Sequence, residues 1–163
     1  MRGNLHLGGN GMNANMNLAL LPAQAAALLA GESDVVANLA NTSALIYDQV
    51  PQINWVGFYF LRGDELVLGP FQGKPACVRL KRGRGVCWAA VEADDVTVVG
   101  DVHTFAGHIA CDCATKSEMV VPLHKDGGIF GVLDVDSPIE NRFDEETVAL
   151  LRATAAAVEK ALA

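Results

Sequence analysis

Two pairs of apolar runs, each closed by turn residues, decide most about what this chain can fold into. Ile53–Leu61 is rich in aromatic and β-branched residues, Gly63 and Asp64 supply a turn, and Glu65–Phe71 reads as the returning strand. Glu118–His124 and Ile129–Asp136 repeat the arrangement around Lys125-Asp126-Gly127-Gly128. Connections this short join antiparallel neighbours, so the chain is committed to an antiparallel sheet.

Helical signals surround the hairpins. Pro22 followed by Ala23–Ala30 predicts a helix with proline in its first turn and Gly31 as its stop. Ser33 is the expected cap of a second helix, in which Val35, Leu39, Ile46 and Val50 recur at helical spacing. Gly83-Arg84-Gly85 leads into a short helix at Val86–Glu92, followed by a brief strand at Val96–Val99 and a long loop at Gly100–Ser117. The last helix carries the fullest set of signals. Asp144 is its cap, Phe143 and Val148 form a hydrophobic staple, and Glu145 and Glu146 oppose the positive helix end. Leu151, Ala155, Val158 and Leu162 are its buried stripe. The order predicts an α+β fold with one antiparallel sheet flanked by helices.

The chain has 163 residues, which fits one domain. Residues 1–16, rich in Gly and Asn, read as a tag or frayed leader, leaving 17–163 as the folded unit. The net charge is −7 and no basic cluster exceeds the Arg79–Arg84 run, so nucleic acid and anionic membranes are poor partners. No apolar run is long enough to cross a bilayer and no secretory pattern is present, so the expected location is cytoplasmic.

In that setting the cysteines need a chemical explanation rather than a structural one. Cys77, Cys87, Cys111 and Cys113 fall in one central stretch, the last two inside His108-Ile109-Ala110-Cys111-Asp112-Cys113. A thiol in a long loop beside His108 and Asp112 can gain or lose thiolate character from its neighbours, and three further thiols could resolve an oxidised intermediate. Cys77 and Cys87 also suit simple packing roles. A zinc site completed by His103 or His108 is a competing reading, although the cysteine spacing is not that of common zinc motifs.

Acidic residues form a second constellation. Asp134 and Asp136 alternate with Leu133 and Val135, so in a strand both carboxylates share one face and the aliphatic residues the other. Glu118 begins the neighbouring strand. Adjacent carboxylates are costly unless they meet a cation, a proton or solvent. Trp55, Gly57 and Tyr59 similarly share one face of the first strand, where the two rings either pack the core or enclose a small ligand.

Taken together, the segments Asn54-Trp55-Val56-Gly57-Phe58-Tyr59, Gly69–Cys77, Gly83-Arg84-Gly85-Val86-Cys87, Asp101-Val102-His103, Gly107–Asp112, Ser117-Glu118 and Gly131–Pro138 resemble the free methionine-R-sulfoxide reductase family, which is built on a GAF domain. The resemblance runs from about Leu20 to the C-terminus. It implies reduction of the free amino acid methionine-R-sulfoxide, with Cys111 as the catalytic cysteine and Cys77 and Cys87 as its disulfide partners, Cys77 foremost. It also implies that Glu118, Asp134 and Asp136 are the carboxylates of the substrate pocket and Trp55 and Tyr59 its aromatic wall. Thioredoxin or a similar dithiol would reset the disulfide, no metal or other cofactor would be needed, and two copies could pair through the N-terminal helices as a homodimer. The chain departs from the family pattern at Trp88, expected to crowd the short helix or the pocket rim, and at Cys113, an alternative resolving thiol or a bystander. The alternative function is a non-catalytic GAF-type sensor of small molecules or oxidants.

Overall fold

The computed structural model describes residues 18–107 and 113–163. Two helices, α1 (Leu21–Leu29) and α2 (Val35–Gln49), precede the hairpin of β1 (Trp55–Arg62) and β2 (Glu65–Gly73). A short strand β3 (Arg79–Lys81), helix α3 (Gly85–Ala93), strand β4 (Thr97–Val99) and a 3-10 turn (Val102–Thr104) follow. The second hairpin, β5 (Ser117–Lys125) and β6 (Gly128–Ser137), leads to the terminal helix α4 (Glu145–Leu162). All six strands form one sheet in the order β3-β2-β1-β6-β5-β4, and every pairing is antiparallel. The expected α+β architecture is therefore present.

Local chemistry accounts for the element ends. At the tip of the second hairpin Asp126 and Gly127 both have positive φ, 53° and 78°, the backbone that a tight antiparallel turn requires. The α4 cap is as expected, with Asp144 accepting from the Thr147 N–H at 2.8 Å. The α2 cap is not. Asp34, not Ser33, accepts from the Ala37 N–H at 2.8 Å, while the Ser33 N–H donates to Glu32. A carboxylate accepts this bond more strongly than a hydroxyl, which favours the cap one residue later.

The two faces of the sheet have different tasks. Val56 and Phe58 from β1, Met119, Val121 and Leu123 from β5, and Leu133 and Val135 from β6 project to one side. There they meet Leu21 and Leu29 of α1, Leu39 and Ile46 of α2, and Leu151 and Val158 of α4 in the principal core. The opposite face carries Trp55, Tyr59, Val120 and Val132, covered in part by α3 through Val86, Trp88 and Ala90. Because α3 is short, it covers that face incompletely, and the gap beside it is where the acidic residues emerge.

Candidate active site

Antiparallel register gathers the site. Asp136 of β6 stands opposite both Trp55 of β1 and Glu118 of β5, while Asp134 stands opposite Gly57 and Val120. Period-two alternation then directs Glu118, Asp134 and Asp136 to the face shared by Trp55 and Tyr59. All five side chains line one cavity, which opens in part to solvent. Cys87 lines it from the first turn of α3.

The aromatic wall is held by backbone. Trp55 Nε1 donates to the Lys74 carbonyl at 3.1 Å, and the Tyr59 hydroxyl donates to the Cys77 carbonyl at 2.9 Å. Trp55 stacks on Tyr59 and on Phe71, with centroid separations of 6.0 and 5.4 Å. Two glycines make room for the indole. A Cβ on Gly57 would lie 2.6 Å from Trp55 Cη2, and one on Gly73, whose φ is 125°, would lie 2.6 Å from Cδ1.

The carboxylates lie in a dry setting. Glu118 and Asp134 are 7% and 6% exposed, and Asp134 Oδ1 has no hydrogen-bond partner among the described residues. Burial raises Asp134 to about 7, against hydrogen bonds with Cys87 and Glu118 that lower it. Burial raises Glu118 well above the ordinary carboxyl range, and Asp134 and Asp136 raise it further by their charge. The hydrogen bond between Glu118 and Asp134 ties the titration of the two groups together. Burial, followed by the charges of Asp134 and Glu118, also raises the Cys87 thiol, which donates to Glu118 Oε1 at 4.0 Å. Tyr59 is raised as well, by burial and then by Asp134.

The remaining cysteines differ from Cys87. Cys77 is half-buried and disulfide-bonded, whereas Cys87 is a buried free thiol and Cys113 an exposed one. Cys111 lies outside the described residues, as do His108 and Asp112. Among the described residues, the group with metal-ligand spacing is Cys87, Glu118 and Asp134, whose ligand atoms lie within 4.8 Å of one another. All three are shifted toward their protonated forms, which a metal would have to displace.

Trp88 is not among the residues that line the cavity: it is buried in the apolar cluster between α3 and the sheet, and its Nε1 donates to the Leu80 carbonyl at 2.8 Å, which ties α3 to β3. Several lining residues were missed by sequence reasoning. Pro75 and Ala76, Arg84 and Gly85, and Thr115 complete the wall. Thr115 is 2% exposed and accepts from Asn54 Nδ2 at 3.1 Å. No periodicity marks these positions, although Gly73 and Gly83 beside them signal close backbone approach.

A curled antiparallel sheet with helices on one face and a ligand-sized pocket under a short helix on the other defines a GAF domain, and residues 19–162 match the GAF domain family. The free methionine-R-sulfoxide reductase of Escherichia coli is 56% identical over 137 residues, spanning 84% of this chain and 83% of that protein. The chain belongs to the free methionine-R-sulfoxide reductase family. Two solved structures agree. The Staphylococcus aureus fRMsr in complex with substrate superposes with a TM-score of 0.85 at 53% identity, covering 90% of this chain and 96% of that one. The Neisseria meningitidis free methionine-R-sulfoxide reductase in complex with its substrate gives 0.86 at 43% identity, covering 99% and 96%.

Proposed function

We propose that this protein reduces free L-methionine-(R)-sulfoxide to methionine through a cysteine sulfenic acid and an intramolecular disulfide. The observation that carries the reading is the set of three carboxylates, two of them dry and raised, beside two locked aromatic rings in one cavity. A free amino acid brings an ammonium group that relieves clustered negative charge, a sulfoxide that needs a proton, and apolar carbons that suit ring faces.

In the proposed sequence Cys111 attacks the sulfoxide sulfur and Glu118 gives its proton to the oxygen. Cys111 becomes a sulfenic acid and methionine leaves. Asp136 and Asp134 hold the ammonium, while Trp55 and Tyr59 enclose the methyl and methylene groups. The Cys77 thiol then condenses with the sulfenic acid, giving a disulfide and water. A dithiol of the thioredoxin type exchanges with that disulfide and restores both thiols. The disulfide-bonded state of Cys77, with Cys87 and Cys113 free, supports Cys77 as the main resolving thiol. Cys87, buried and raised, is the poorer candidate because thiolate is the reactive form. Pairing of two copies through α1 and α2 belongs to the same reading.

Peptide mapping after one turnover without reductant tests the sequence. The expected product is a Cys77–Cys111 disulfide with one equivalent of methionine released. Methionine release with both cysteines still reduced would refute the disulfide route. A non-catalytic sensor would release at most one equivalent even when dithiothreitol is supplied.

A further inference from the structure

The stretch from Lys74 to Arg84 holds five basic residues and no acidic one, in a chain whose net charge is −7. It surrounds Cys77, runs through β3, and lies at the outer edge of the sheet. Val78, directly after the disulfide-bonded cysteine, is 63% exposed, the most exposed large hydrophobic side chain among the described residues. Lysine on an edge strand discourages unwanted strand pairing, which explains Lys81. It does not explain an exposed valine beside the half-buried Cys77. Arg79 pairs with Glu65 at 2.8 Å and Arg82 approaches Glu92 at 3.8 Å, while Lys81 and Arg84 make no ion pair among the described residues. Lys81 is thus left uncompensated and Arg82 only loosely paired, beside one apolar contact point.

We infer that this edge is the docking surface for the protein that reduces the enzyme, a dithiol protein with an acidic face, anchored on Val78 and steered by Lys81 and Arg82. The inference rests on the disulfide cycle proposed above. Docked here, the partner's thiolate attacks Cys77 Sγ, a mixed disulfide forms, and the cysteine previously bonded to Cys77 leaves as a thiolate. The partner's second thiol then attacks its own sulfur in the mixed disulfide and frees Cys77. Two electrons and two protons pass from the partner dithiol, which ends as a disulfide, to the enzyme, which ends as two thiols. Opposite charge on the two faces raises the encounter rate and is screened by salt.

Steady-state kinetics with an acidic thioredoxin and, separately, with dithiothreitol test this. For Lys81→Gln/Arg82→Gln and for Val78→Ser, the KM for thioredoxin rises about 3- to 10-fold, while dithiothreitol-driven turnover and the KM for sulfoxide stay at wild-type values. In the wild type, the KM for thioredoxin also rises with added salt, a readout independent of any variant. A thioredoxin KM insensitive to both salt and these substitutions overturns the docking surface. A wild-type KM that climbs with enzyme concentration, and ceases to do so in the double variant, assigns the edge to a second copy of this chain and equally overturns it. No turnover with dithiothreitol in the wild type refutes the reductase reading itself.

Discussion

Asp134 shows how a single side chain links stability to ligand chemistry. Its folded pKa is about 7, above the ordinary value of 3.8, because burial disfavours the charged form. The sign follows from linkage: the native state holds a proton the unfolded chain has released, so stability present below the unfolded pKa is lost as pH rises through about 7. Asp134→Asn should therefore melt higher than the wild type at pH 8, with the gap closing toward pH 5, while binding the substrate more weakly. Equal melting temperatures across that range would contradict the buried acidic site. Gly57 makes a steric counterpart. A Cβ there would meet Phe71 Cβ at 2.4 Å and the Trp55 ring at 2.6 Å. Gly57→Ala should cost about 1–3 kcal/mol and raise the KM for sulfoxide by displacing the indole. Unchanged stability and KM in denaturant titration and kinetics would show that the wall is not held as described.

At the level of elements, the hairpins and the terminal helix were legible because their signals are local. Turn residues, capping groups and two-residue or helical periodicity all lie within one short stretch of chain. The acidic face of β6 was legible for the same reason, since alternation alone puts Asp134 and Asp136 together. The β3 strand was not, because Arg79–Lys81 is too short and too charged to show a period. Neither were the carbonyls of Lys74 and Cys77 that anchor Trp55 and Tyr59, because any residue presents a carbonyl and side-chain identity carries no trace of it. A further tie of this kind joins β5, α3 and α4. His124 Nε2 lies 2.7 Å from Asp94 at the end of α3, and Nδ1 lies 2.8 Å from Glu159 on α4. Hydrogen bonds to Asp94 and then Glu159 raise the His124 pKa. The stability it adds is present below the ordinary histidine range and fades as pH rises through the raised value. The group is largely solvated, so His124→Gln should cost only about 0.2–1 kcal/mol at pH 6 and nothing measurable at pH 9. A loss as large at pH 9 as at pH 6, by urea denaturation, would mean the contact is not ionic.

The whole molecule divides its labour between the two faces of one sheet. Three helices seal the face that carries Phe58, Leu133 and Val135, which supplies the stability. The other face, only partly covered by α3, can then hold dry carboxylates that weaken the fold when ionised. Family membership was legible from clustered motifs rather than from composition, and Trp55, Tyr59, Lys74, Cys87, Glu118 and Asp134 from several of those motifs line the same cavity. The central claim is that sulfur at position 111 takes oxygen from a small amino acid held by Glu118, Asp134 and Asp136. A time course of methionine release from the separate R and S epimers of free methionine sulfoxide, with dithiothreitol, tests it most directly. The wild type should turn over the R epimer many times and leave the S epimer untouched, and Cys111→Ser should release no methionine; sustained release by Cys111→Ser would contradict the account.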